Sequence, residues 1–263
     1  MAAESAEAVE RPSWSRRVLA WLRLPLDDLL GGLDRALGVA SPAPDDDHTS
    51  PDRRSGFVAL VLVFLGLGVG WWIYVPLHEL LHAFGCLATG GEVTRLEIQA
   101  IYGGALLAEI FPFVVAGGDY AGRLVGFDTH GNDWIYLATD LAPFVLCWFP
   151  GVWALRRAAR RGGRWTAVAF GFWLPWALSP FLSATGDAFE IGTLAVTQLP
   201  PWDAQANALR SDDLLLWVEQ AGAGAPWLGA GLAACIGLVW AFATYALGGR
   251  IAHALGQPPL SLS

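Results

Sequence analysis

Lysine is absent from this chain. All 16 of its basic residues are arginine, set against 24 acidic residues, for a formal net charge of −8. That balance, with no basic groove carrying stacked aromatics, argues against nucleic-acid binding. Charge of either sign is scarce: 15% of the 263 residues, where soluble domains carry about 25%. Cysteine is scarce too. Cys86, Cys147 and Cys235 are odd in number, widely spaced and without a CxxC, which excludes a disulfide framework and a thiolate zinc site. They read as small buried hydrophobes. The opening "MAAESAEAVERPSWSRR" is too polar and acidic for the apolar core of a cleavable signal peptide.

What is present is apolar. Hydrophobic residues make up 54% of the chain, with 14 tryptophans and 13 phenylalanines, and the mean hydropathy is +0.43. These values place the chain among α-helical integral membrane proteins. Tryptophan suits the membrane interface, where one end of the ring stays wet. Arginine without lysine suggests a GC-rich bacterial genome.

Three regions follow along the chain. Residues 1–40 form an amphipathic N-terminal segment, either lying on the membrane or packing on its own protein. Pro25 and the Gly31–Gly32 pair interrupt its helical pattern. Residues 41–54, rich in Pro, Asp and Ser, form a disordered linker that carries His48. Residues 55–255 form the membrane-embedded domain, with about four to six transmembrane or re-entrant helices. Gly56 to Val75 carries no charge and is long enough to cross a bilayer core of roughly 30 Å. Pro76 ends that span, and a short helix from about Leu77 to Thr89 follows. Glu92 to Ile98 reads as a strand, an edge strand able to hold a peptide by β-addition, followed by short strands or loops. Trp134 to Leu155, Thr166 to Ala184 and Pro226 to about Leu247 read as further spans. Asp187 to Gly224 reads as an acidic loop.

The five arginines between Arg156 and Arg164 are cytoplasmic by the positive-inside rule. Both termini then lie in the cytoplasm, and His78 and Asp187 fall at similar depth near the outer face. The expected location is the bacterial inner membrane.

The stretch "WWIYVPLHELLHAFG", Trp71 to Gly85, sets an HExxH motif inside this apolar sequence. On a helix, residues i and i+4 share a face, so His78 and His82 point at one ion, and imidazole suits Zn2+. Glu79 is turned about 100° from His78 and reaches a water beside the ion, where it acts as general base. A catalytic zinc needs a third protein ligand. His48, His130 and His253 read as solvated. Among the carboxylates Glu109, Asp140, Asp187 and Glu190, Asp187 stands out: it follows a span, and Gly186 before it lets backbone approach closely. Its other reading is an N-cap for the helix after it. Asp140 is the second candidate ligand, or else a polar contact between helices.

The HExxH at a membrane helix, the strand "GGEVTRLEI" after it and the distal Gly186–Asp187 pair resemble the site-2 protease family of intramembrane zinc metallopeptidases, in a compact bacterial form. The resemblance covers about Phe57 to Val196. It implies His78, His82 and Asp187 as zinc ligands, Glu79 as the catalytic base, and a transmembrane or membrane-proximal protein as substrate. The chain departs from that family in its Gly-Asp order, in lacking an asparagine in the Thr166 span, and in having no PDZ-like insertion. Two other functions fit the sequence. One is a membrane zinc peptidase with Glu190 as third ligand. The other is a non-catalytic membrane scaffold, transport or assembly factor that keeps a zinc site.

Overall fold

A computed structural model describes residues 13–38, 53–162 and 165–260. Most of the expected linker, including His48, lies outside the described residues, as do residues 1–12.

Helix α1 (Trp14–Leu37) runs unbroken through Pro25 and Gly31–Gly32, which corrects the expected interruption. Packing outweighs propensity here: a Cβ on Gly32 would sit 2.1 Å from the Phe170 ring, so the glycine makes room for a neighbouring helix. Asp28 is fully buried. It accepts hydrogen bonds from Arg156 Nε (2.8 Å), the Tyr245 hydroxyl (2.9 Å) and the Leu260 amide (2.8 Å). One carboxylate thus ties α1 to two other helices and to the C-terminal segment. The inner face of α1 therefore packs on its own protein, while Leu19, Leu22, Leu26 and Leu30 on the outer face are exposed.

Helix α2 (Arg53–Ala88) is a single helix of 36 residues with Pro76 inside it, about 54 Å long at 1.5 Å per residue. The expected break at Pro76 does not occur, and Arg53 and Arg54 belong to this helix rather than to a linker. Proline removes one backbone hydrogen bond, a cost that packing outweighs: Cβ atoms on Gly66 and Gly70 would lie 2.0 and 2.2 Å from the Val168 and Phe172 carbonyls, so this helix is held closely along the one at Trp165–Ala177. His78, Glu79 and His82 therefore ride on the last third of a long rod.

The polypeptide then forms a small sheet. β1 (Glu92–Ile98) is followed by α3 (Gly104–Ile110), β2 (Val114–Ala116) and β3 (Gly122–Asp128). The strand order is β2-β1-β3, with β1 parallel to β2 and antiparallel to β3. Leu96, Ile98 and Val114 bury themselves against Leu80 and Ala83 of α2, which fixes the sheet to the HExxH helix. The Glu92–Ile98 strand is where the sequence places it, but it is central. The edge next to α2 is β3.

Helix α4 (Asp133–Leu141) leads through irregular turns and an extended Phe149 (φ −157°, ψ 130°) into α5 (Val152–Ala159). Pro143 and Pro150 prevent one regular helix over the expected Trp134–Leu155 span. The expected Thr166–Ala184 span divides into α6 (Trp165–Ala177) and α7 (Ser179–Leu182). The expected acidic loop holds α8 (Asp187–Val196), α9 (Ala206–Leu209) and α10 (Leu214–Gln220). Helix α11 (Trp227–Ala254) comes last. Among the described residues, three stretches are long and apolar enough to cross a membrane: Gly56–Ala88, Asp133–Ala159 and Trp227–Ala254.

Arg156, which opens the arginine-rich segment, lies in α5 and is fully buried against Asp28. One further expectation needs correction. Of the cysteines, Cys86 and Cys147 are buried but Cys235 is exposed.

Helix α8 is set in place by a close crossing. A Cβ on Gly192 would lie 2.0 Å from the Ala233 carbonyl of α11, and one on Gly237 would lie 2.1 Å from the Ala188 carbonyl of α8. Small residues let two helix backbones touch. Gly192→Val is expected to push α8 off α11 at a cost of about 1–3 kcal/mol and to carry Asp187 with it. Lower metal content and a lower melting temperature in the purified variant check this.

Candidate metal centre

The site assembles from three elements distant in sequence. Helix α2 presents His78 and His82 one turn apart, both buried. Helix α8 brings Asp187 to them. Asp187 is the first residue of α8; Gly186 takes the N-cap position and no side chain caps the helix. The capping reading of Asp187 therefore falls, and its carboxylate is free to face the histidines.

His78 Nε2 lies 3.1 Å from Asp187 Oδ2, His82 Nε2 lies 3.5 Å from Asp187 Oδ1, and the two Nε2 atoms are 3.2 Å apart. Ligand atoms about 2.1 Å from a common centre, at tetrahedral angles, are roughly 3.4 Å apart. The observed spacings are close to that figure, with a different Asp187 oxygen facing each histidine, and the three side chains form a group able to hold a metal ion.

The other ring nitrogens are anchored. His82 Nδ1 lies 2.9 Å from the Thr139 carbonyl of α4, and the Tyr74 hydroxyl lies 2.6 Å from His78 Nδ1. A carbonyl only accepts, so His82 Nδ1 donates, and in the neutral ring the Nε2 lone pair points to the centre. Asp187 Oδ2 is buried with no hydrogen-bond partner. The Asp187 carboxylate is thus buried against two imidazole nitrogens, a donor set whose chemistry suits a metal ion. Tyr74→Phe keeps the ring and removes the hydroxyl. It is expected to weaken metal affinity about 10-fold, within the range for second-shell losses, as read by competition with a chelator.

Glu79 and His82 line a cavity of about 370 Å³ together with Asp187, Asp140 and Glu190. Glu79 lies against the backbone of β3: a Cβ on Gly122 would sit 2.4 Å from Glu79 Cγ. The missing side chain at 122 is thus the space that Glu79 occupies. Arg123 pairs with Asp212, and Arg210 makes two 2.7 Å hydrogen bonds to Asp133, so both cavity-lining arginines are already matched.

The other sequence candidates do not join the metal group. Asp140 is buried on α4, and its Oδ2 has no hydrogen-bond partner. Glu190, one turn beyond Asp187, accepts from the Tyr136 hydroxyl. Burial pushes the Glu190 carboxyl up to about 7, against that hydroxyl. Glu109, His130 and His253 are exposed.

Sequence reasoning missed Tyr74, Thr139, Gly122 and Tyr136. Tyr74 had a signal, since it sits four residues before His78 on the same helical face. Thr139 had none, because it acts through a backbone carbonyl. No protein-family model, curated protein or solved structure matches this chain.

Proposed function

We propose that this protein is a membrane-embedded zinc metalloendopeptidase, similar in its chemistry to the site-2 proteases. The observation that carries the reading is the convergence of His78, His82 and Asp187 at tetrahedral spacing, with Glu79 lining the same cavity. Two imidazoles and one carboxylate suit zinc and leave a fourth position open, as catalytic sites do and closed structural sites do not. Zinc held there supplies Lewis acidity, polarising a peptide carbonyl and making water a nucleophile at neutral pH.

The chain's own residues do the rest. Glu79 takes a proton from the attacking water and returns one to the leaving amine. Thr139 and Tyr74 hold the two imidazoles in orientation. β3 lines the cavity and ends the sheet, so its outer edge, rather than β1, is the place for an extended substrate to pair. A helical substrate must unwind first, because its carbonyls are already hydrogen-bonded. Three stretches long and apolar enough to cross a membrane support a site in or beside a bilayer, with membrane or membrane-proximal proteins as the proposed substrates.

The test is to incubate zinc-loaded protein in liposomes with a set of single-span membrane proteins and to map new N-termini by mass spectrometry. Cleavage by the wild type and not by Glu79→Gln supports the reading. Stoichiometric zinc without any cleavage would instead favour a metal-holding scaffold.

A further inference from the structure

The proposed peptidase chemistry uses His78, His82, Asp187 and Glu79. It leaves two buried carboxyls on the same cavity without a task. Asp140 is 3% exposed and Glu190 is 7% exposed, and both line the cavity that Glu79 and His82 open onto. Buried carboxylates are costly unless paired. Among the described residues neither has an arginine or histidine within ion-pair distance, and the chain has no lysine. Glu190 has one neutral donor, the Tyr136 hydroxyl. Asp140 Oδ2 has none.

The cavity's two cations are not available to relieve this charge. Arg123 is held by Asp212 and Arg210 by Asp133. A second metal ion fits poorly, because hard cations take six or more oxygens, and among the described residues the group of side chains able to hold an ion comprises His78, His82 and Asp187.

We propose that Asp140 and Glu190 form a substrate subsite that binds a cationic group of the peptide, either an α-ammonium or a lysine or arginine side chain, beside the metal centre. This assignment rests on the peptidase reading for its substrate class. A positive group entering the cavity would meet the unpartnered Asp140 oxygen and the Glu190 carboxylate together. A bound cation favours the ionised form of both buried carboxyls, and the charge-assisted hydrogen bonds that result discriminate strongly against a neutral isostere. The subsite thereby selects which peptide bond is presented to Glu79.

The experiment measures binding, not turnover. Zinc-loaded wild type, Asp140→Asn and Glu190→Gln proteins in detergent are titrated with three probes: N-acetyl-arginine amide, norleucine amide with a free α-amine, and N-acetyl-citrulline amide. The expected result is that one of the first two binds the wild type at least 10-fold more tightly than the citrulline compound, about 1.4 kcal/mol. Which of the two does so tells a side-chain cation from an α-ammonium. Both variants should lose that preference while keeping zinc, which also reports that they are folded. The substitutions are read separately, so a folding defect in one leaves the other decisive.

Equal affinity for all three probes, no binding at millimolar concentration, or a cation preference that survives in a folded variant would overturn the proposal. Because these titrations need no catalysis, they can succeed where a cleavage assay fails, so failure of the peptidase reading is seen apart from failure of the subsite.

Discussion

Glu79→Gln is expected to lower the rate of peptide-bond cleavage by about 10²–10⁴-fold, the contribution of a positioned general base, while leaving metal content at the wild-type level. Glutamine keeps the length and shape of the side chain, so it still fits the space left by Gly122. It cannot accept a proton. Glu79 is not among the three residues that could hold the ion, so its loss leaves the ligand set whole. The measurement is single-turnover cleavage of a substrate found in the liposome screen, with zinc determined on the same samples. A variant that cleaves at the wild-type rate removes Glu79 from the mechanism. A variant that loses zinc makes it a structural support of the ligands instead.

The second large effect concerns the ligands. His78→Ala and Asp187→Ala are each expected to lower metal affinity by more than the roughly 10–100-fold typical of second-shell losses, so that most of the zinc is lost on dialysis. Each removes one of only three protein donors and leaves a pair that cannot enclose an ion tetrahedrally. Asp140→Ala is the comparison. It stands on the same cavity but outside the group of three, and it is expected to keep its zinc. Elemental analysis of the four proteins, purified without chelators, decides between them. Zinc retained by Asp187→Ala but lost from a Glu190→Ala protein would transfer the third ligand to Glu190.

Much of the centre was legible before any coordinates. His78 and His82 share a helical face because four residues span about one turn, so their convergence follows from local geometry. Asp187 was one of four carboxylates that the sequence offered as a third ligand, singled out by the glycine before it and the apolar stretch it follows, with Asp140 and Glu190 left open. Glu92 to Ile98 was legible as a strand from its composition and the glycines before it. These are properties of short stretches, and short stretches carry them wherever they are placed.

Tertiary structure decided the rest. Pro25, Gly31 and Pro76 are local signals for breaks, yet helices run through all three positions, because both helices pack closely on α6 through Gly32, Gly66 and Gly70. Pro143 and Pro150, the same residue type, do interrupt the path between α4 and α5, and nothing in the local sequence separates the two cases. The position of β1 between β2 and β3 depends on which strands find it, so it could not be read from β1 itself. The burial of Arg156 required its partner Asp28, 128 residues earlier in the chain. Asp140 and Glu190 likewise became a pair on one cavity only when α4 and α8 met. The sequence by itself determined the kinds of helix and the chemistry of the HExxH face, because both are set by neighbours a few residues away. Only the folded chain decided which carboxylate completes the metal group and which carboxylates are left without a cation, because those are contacts between residues tens of positions apart.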